Sequence, residues 1–345
     1  MIPHSRPSLG PEEEEAACRV IRSGMLAQGR EVAAFEEDLG KLLNADFVVA
    51  LSSGSAALHL TLLALGIQSG DGVIMPAYVC TALLHAAAHV QAQPLLADIT
   101  PQTLNIAPES VQRLLDQNAR AILVPHMFGQ SADLDALSQL GLPIVEDCAM
   151  ALGATRHQKY LGTLGEIGIF SFYATKVLCA GEGGAIATSN AALADRVRDL
   201  REYDGRKDAR PRFNYKMTDL QAAIARVQLQ KLKGFVQKRR KMGQQYDLVL
   251  KHTSAQIPEF SEGSFPFRYV IRHEKGAHTL VNEFEARGVA ARQPVFYPLH
   301  KCLNQPPTHL SQTELVYQEA LSLPLYPALT ESETHHILQV AQDLL

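Results

Sequence analysis

Short apolar runs alternate along this chain with longer helical stretches. Phe47–Leu51 (FVVAL) is an apolar run that leads into Ser52-Ser53-Gly54-Ser55, and a helical stretch, AALHLTLLALG, follows at once and closes at Gly66. Strand, turn and helix then recur. Gly72–Met75 ends at Pro76 and precedes a helix over 79–91; Gln93–Asp98 is the next strand. Ala121–Pro125 (AILVP) is followed by a loop holding Gly129 and a helix from Asp133, and Pro143–Asp147 (PIVED) is another strand. Ile167–Tyr173 and Gly184–Thr188 add two more. Ahead of them, residues 11–43 read as helix, loop, helix, with turns at Ser23-Gly24 and Gln28-Gly29. Glu12–Glu15 suits the first turn of a helix capped near Ser8, where carboxylates meet the positive end of the dipole.

After Lys216 the pattern changes. Thr218 to about Leu250 is a long helical region expected to break or kink near Gly234. The remainder has proline-rich turns, two or three strands and a final helix. The pattern predicts an α/β fold in which a mostly parallel mixed sheet is flanked by helices on both faces. It places a large domain at 1–235 and a smaller α+β domain at 236–345. The length of 345 residues agrees, because a single core stops growing at roughly 250–300 residues.

Composition narrows the class of protein. Hydrophobic residues make up 46% and charged residues 20%, ordinary values for a folded protein. The net charge of −4 is carried without a basic patch, which argues against nucleic acid as a partner. The opening MIPHSRPSLG has no secretory pattern, and no run of about 18 apolar residues offers a membrane span, so a cytoplasmic location is expected. The cysteines Cys18, Cys80, Cys148, Cys179 and Cys302 are scattered without a CxxC pair, which suggests reduced thiols and no metal site.

Three groups of residues fall where such a sheet places its ligands, beyond the carboxyl ends of its strands. Ser53-Gly54-Ser55 opens a helix, where free N–H groups and the dipole suit a phosphate, although an ordinary serine N-cap has the same appearance. Glu146-Asp147 closes a strand, where a carboxylate can hold a protonated pyridine nitrogen or simply cap a helix. Lys176 ends the segment FSFYATK, ahead of Gly181-Glu182-Gly183-Gly184. Lysines are usually solvated, but in an apolar setting desolvation frees the amine for Schiff-base chemistry. A phosphate cradle, a carboxylate and a lysine together are the parts of a pyridoxal phosphate (PLP) site.

The segments SGMLAQGREVAAFEEDL, SSGSAALHLTLLALGI, VEDCAMALGA, LGTLGEIGIFSFYATKVLCAGEGGAIAT, FNYKMTDLQAAIARVQLQKL and LSLPLYPALTESE carry a resemblance that runs almost end to end. The chain resembles the DegT/DnrJ/EryC1/StrS family of PLP-dependent sugar aminotransferases, of aspartate aminotransferase fold type I. The resemblance implies a Schiff base on Lys176, which also shuttles the substrate proton, and Asp147 on the pyridinium nitrogen. It implies phosphate contacts from Gly54, Ser55 and Ser171, and from Asn214 to the neighbouring subunit of a homodimer with shared sites. It also implies an amino-acid donor, glutamate in the first place, and a keto-sugar acceptor linked to a nucleotide.

Two positions depart from the family pattern. Met150 stands where glutamine is common, and Cys80 where an aromatic ring usually stacks on the pyridine, which leaves that face to a neighbour such as Tyr78. Sugar dehydration, cyclitol amination or a non-catalytic regulatory role are the alternatives; relatives that dehydrate sugars carry histidine in place of Lys176, so its presence favours transamination. His126, Tyr297 and His300 are further candidates for substrate contact, each with a structural reading beside it. The cluster Arg206, Lys207, Arg210 and Arg212 is placed either to meet a diphosphate or to lie in a solvated loop.

Overall fold

The computed structural model describes all 345 residues. The chain runs α1 (Pro11–Ser23), α2 (Arg30–Leu43), β1 (Phe47–Leu51), α3 (Gly54–Ala64), β2 (Gly72–Pro76), α4 (Ala82–His89), β3 (Gln93–Ala97), α5 (Pro108–Gln112) and β4 (Ala119–Pro125). It continues through α6 (Leu134–Ser138), β5 (Ile144–Asp147), a small hairpin of β6 (Thr155–Arg156) and β7 (Lys159–Tyr160), β8 (Ile167–Ser171), β9 (Gly184–Thr188) and α7 (Ala191–Arg201). After α8 (Asp219–Leu250) come β10 (Tyr269–Arg272), α9 (Ala277–Ala286), α10 (Leu299–Cys302), α11 (Ser311–Glu319), β11 (Ala320–Leu323) and α12 (Glu331–Leu344).

Seven strands form one sheet in the order β1-β9-β8-β5-β4-β2-β3. The pairs from β8 to β3 are parallel, and only β9 runs against its neighbours β8 and β1. The expected mostly parallel mixed sheet is therefore present. Its apolar runs are unbroken because both faces are covered. In β1, Val48 and Ala50 enter the core beneath α2 and α8, while Val49 and Leu51 enter the core beneath α3, α4 and α7. Val73 and Ile74, and Leu123 and Val124, divide between the two cores in the same way.

Two local expectations are corrected. Helix α1 is capped at Gly10, not near Ser8: its own Glu13 reaches back to accept from the Gly10 N–H at 2.8 Å, and Pro11 occupies the first turn, where no N–H is needed. Helix α8 runs unbroken through Gly234. A mid-helix glycine costs about 1 kcal/mol, a cost that packing of α8 on α1 and α2 offsets. Thr218 and Gln221 cap α8 reciprocally, and the buried Asp219 accepts from the N–H groups of Gly29 and Val32, which caps α2 as well.

β10 and β11 pair antiparallel and pack with α9, α12 and the end of α8 around a separate core that includes Tyr246, Tyr269, Phe284, Leu321 and Ile337. The first residues of the chain join this layer: Ile2 bridges to Val289, and His4 bonds Ser322 at 2.9 Å. No helix is long and apolar enough to cross a membrane.

Candidate active site

β1, β8 and β5 share one direction, so their carboxyl ends open on the same edge of the sheet. Leu51, Gly184 and Ser171 lie in one transverse row across β1, β9 and β8. Two glycines let three segments close at this point. A Cβ on Gly184 would stand 2.3 Å from the Ser53 carbonyl oxygen, and one on Gly54 would stand 2.8 Å from Cβ of Ser171. Glycine at both places brings the start of α3 against the Ser171 hydroxyl.

The first N–H groups of a helix have no acceptor within it. In α3 the Ala56 N–H goes to the Ser53 hydroxyl at 3.0 Å and that of Ala57 to the Ser53 carbonyl. The N–H groups of Gly54 and Ser55 remain, with the exposed Ser55 side chain beside them. These donors, the dipole and Ser171 form an anion site.

Asp147 ends β5 and is buried. One of its oxygens accepts from the Ala149 N–H at 2.9 Å and the other accepts nothing from the protein. Burial raises its pKa, against the pull of the Ala149 N–H and of the Lys176 charge. Lys176 sits in the loop joining β8 to β9. That loop is braced by Phe172 and Ala180, whose N–H groups bond to Gly183 and Phe172, and by the Lys176 N–H, which bonds to the Tyr173 carbonyl. The Lys176 amine has no hydrogen bond or carboxylate partner and lies 5.9 Å from the centre of the Phe267 ring. Burial lowers its pKa; Cys80 and Asp147 act to raise it and Arg268 to lower it further. The sequence-predicted cradle, carboxylate and amine thus converge on one edge. Their donor set fits a phosphate, a protonated ring nitrogen and an aldehyde.

Beneath Asp147 lies a buried network that sequence reading did not resolve. Glu146 accepts from His126 Nε2 at 2.9 Å and from the N–H groups of Gly162, Leu164 and Gly165 at 2.7–2.8 Å. His126 Nδ1 accepts from the Ala132 N–H, so the ring is the neutral Nε2–H tautomer. Although His126, Glu146 and Cys148 have ligand atoms within 4.8 Å of one another, the His126 and Glu146 atoms are committed to these bonds. Burial alone would raise the Glu146 pKa, and the donors around it reverse this and hold it down.

Other expectations fare unevenly. Cys80 is open to the pocket, and both Asp147 and Lys176 act on it electrostatically. Tyr78 is completely buried in the core beneath α3 and α4, so it has no free face on which a ring can stack. Met150 packs partly buried against both faces' cores. Asn214 is exposed and bonds nothing in its own chain. It is held out between Phe213 and Tyr215, whose N–H groups bond to the carbonyls of Leu200 and Arg201. His126 and His300 are both buried, and His300 bonds Glu314 at 2.7 Å. Tyr297 is exposed. Arg212 is committed to Asp199 and Asp208, and Arg206 approaches Asp199, which leaves Lys207 and Arg210 unpaired.

The model of the DegT/DnrJ/EryC1/StrS aminotransferase family matches residues 7–342. The chain belongs to this family. Its relatives include the spore coat polysaccharide biosynthesis protein SpsC of Bacillus subtilis, 30% identical over all of this chain and 97% of that one. GDP-perosamine synthase of Caulobacter vibrioides is 31% identical over 92% of this chain and 91% of its own. The crystal structure of the aminotransferase TlmJ from Streptoalloteichus hindustanus superposes with a TM-score of 0.93 at 30% identity, over 99% of this chain and 98% of that one. As a member of the DegT/DnrJ/EryC1/StrS family the protein is a sugar aminotransferase with pyridoxal phosphate as its cofactor.

Proposed function

We propose that the protein moves an amino group from an amino-acid donor, glutamate, onto a keto sugar carried on a nucleotide, in a homodimer whose subunits share their sites. The convergence of the Gly54–Ser55 cradle, Asp147 and the unpaired Lys176 amine on one sheet edge carries this reading. Bound pyridoxal phosphate supplies an aldehyde that takes up the amine and a cationic ring that draws electrons from the neighbouring carbon.

The chain's own residues do the rest. Gly54, Ser55 and Ser171 hold the phosphate. Asp147, backed by the Glu146–His126 network, keeps a proton on the ring nitrogen. Lys176 would hold the aldehyde in the resting enzyme. During turnover its amine, deprotonated more readily because it is desolvated, carries the proton to and from the substrate carbon. Asn214, on its anchored segment, would meet the neighbouring subunit's phosphate, and Cys80 and Met150 would line the cofactor ring. The exposed Phe296, Tyr203 and Tyr173 side chains are apolar surface that a second subunit would cover.

Incubation with glutamate and a panel of ketones tests the reading. Release of 2-oxoglutarate and amination of nucleotide-linked keto sugars, with free cyclitol ketones left unreacted, is the expected result. Amination of cyclitols alone, or elimination of water from the sugar, would replace it.

A further inference from the structure

Three cationic side chains surround the Phe267 ring. Arg239 lies 5.3 Å from its centre, and Lys176 and Arg268 each lie 5.9 Å from it. None of the three has a carboxylate within ion-pairing distance. Arg239 is held by two bonds from its Nη1, to the carbonyls of Phe267 and Leu325, with its Nε unpartnered. The Arg268 guanidinium makes one hydrogen bond, to the Pro294 carbonyl at 3.1 Å, and its other donors are unmet. Glu259 lines the same cavity of about 220 Å³ as Arg268, with Met127, Phe128 and Gln130, yet does not pair with it.

A half-buried guanidinium with free donors and no counter-charge is an incomplete ion pair. Its planar fork matches a carboxylate in two parallel bonds. Because Arg268 and Lys176 lie against one ring, they are no further apart than twice that 5.9 Å spacing, and the Arg268 charge acts on Lys176. The phosphate is already served by α3 and Ser171. The one anion that must come to the lysine in the donor half of the reaction is the carboxylate attached to the carbon that bears the amine.

We propose that Arg268 is the anchor for the α-carboxylate of the amino donor. This rests on the aminotransferase reading of the site above. Arg268 and Arg239 both lie against Phe267. Its N–H bonds to the Phe128 carbonyl at the carboxyl end of β4, so the anchor is tied to the sheet that carries Asp147.

The test separates donor from acceptor. The half-reaction of the loaded enzyme with L-glutamate is followed by rapid mixing, and binding of succinate, an unreactive carboxylate, by calorimetry. Arg268→Met should raise the half-saturating glutamate concentration at least tenfold while the limiting rate changes little, and should weaken succinate to a similar degree. Arg268→Lys, which keeps the charge without the fork, should fall between and shows that the fold is intact. Amination of the keto sugar by the pyridoxamine-loaded variant should keep its half-saturating concentration. Unchanged glutamate and succinate affinity in Arg268→Met, or a defect confined to the sugar half, would overturn the proposal. So would a change in the resting enzyme's visible spectrum without any change in donor affinity, which would assign Arg268 to the cofactor. If the wild-type protein itself takes no amino group from glutamate, the functional reading falls instead.

Discussion

At the scale of single residues, the proposed site centres on an amine whose charge is disfavoured by where it is held. Lys176 has no hydrogen-bond or ion-pair partner, and burial disfavours its charge. The neighbours give signed expectations. Asp147 favours the ammonium, so Asp147→Asn should move the pH midpoint for chemical labelling of Lys176 in the cofactor-free protein downward. Arg268 disfavours it, so Arg268→Met should move that midpoint upward. Equal shifts of one sign in both variants would contradict the electrostatic account. Lys176 and Asp147 could be singled out as candidates because their segments are long and specific. Tyr78 was misjudged because a sequence shows that an aromatic is near a site but not which core takes it. Arg268 lay outside the reading altogether: an arginine ahead of a short strand resembles any surface arginine until the fold brings it to Phe267.

Among the secondary-structure elements, the junction of β1, α3, β8 and β9 sets the proposed phosphate cradle. Gly54→Ala places a Cβ 2.8 Å from that of Ser171, so one of the two segments must shift. Cofactor titration of the stripped protein should then show affinity lowered by about tenfold, or about 1.4 kcal/mol. Beneath β5, Glu146 accepts four donors in a buried place. Glu146→Gln turns one acceptor into a donor facing N–H groups and should cost about 2–4 kcal/mol in urea unfolding. The strands of the seven-stranded sheet were readable because each is a largely apolar run closed by a turn, whereas the polar pairs of β6 and β7 carry no such signal. The cap of α1 and the continuity of α8 were not, since both depend on contacts rather than on local preference: a glutamate reaching back to Gly10 in one case, packing against α1 and α2 in the other.

In the whole molecule, the first residues staple the C-terminal layer. His4 bonds Ser322, and burial together with the charges of Arg268 and Arg292 brings its pKa down to about 3 from 6.5. The unfolded chain takes up a proton below pH 6.5 that the folded chain refuses until about pH 3, so stability is lost as the pH falls through that window. The loss is on the order of 1 kcal/mol per pH unit, and His4→Gln should reduce it in urea midpoints measured from neutral pH to about pH 4. The expectation that the subunits share sites is also a statement about the assembly. Mixed dimers of Lys176→Ala and Asn214→Ala should regain one intact site, because one of the two sites then draws its lysine and its asparagine from unaltered positions. A mixture no more active than its parts would show that Asn214 serves its own chain or none. A change of rhythm after Lys216, ahead of the C-terminal layer, was visible in the sequence. The crossing of Ile2 and His4 to that layer was not, because pairing between chain ends leaves no periodic trace.

The central claim is that Lys176, Asp147 and the α3 cradle together make an amino-transferring site. Its most direct test is a single-turnover measurement with stoichiometric L-glutamate and cofactor-loaded protein. The account predicts that the visible absorption of the lysine-bound cofactor is lost as one equivalent each of pyridoxamine phosphate and 2-oxoglutarate forms, and that Lys176→Ala forms neither. Protein that holds the cofactor yet yields no pyridoxamine phosphate with glutamate or any other amino acid would contradict it.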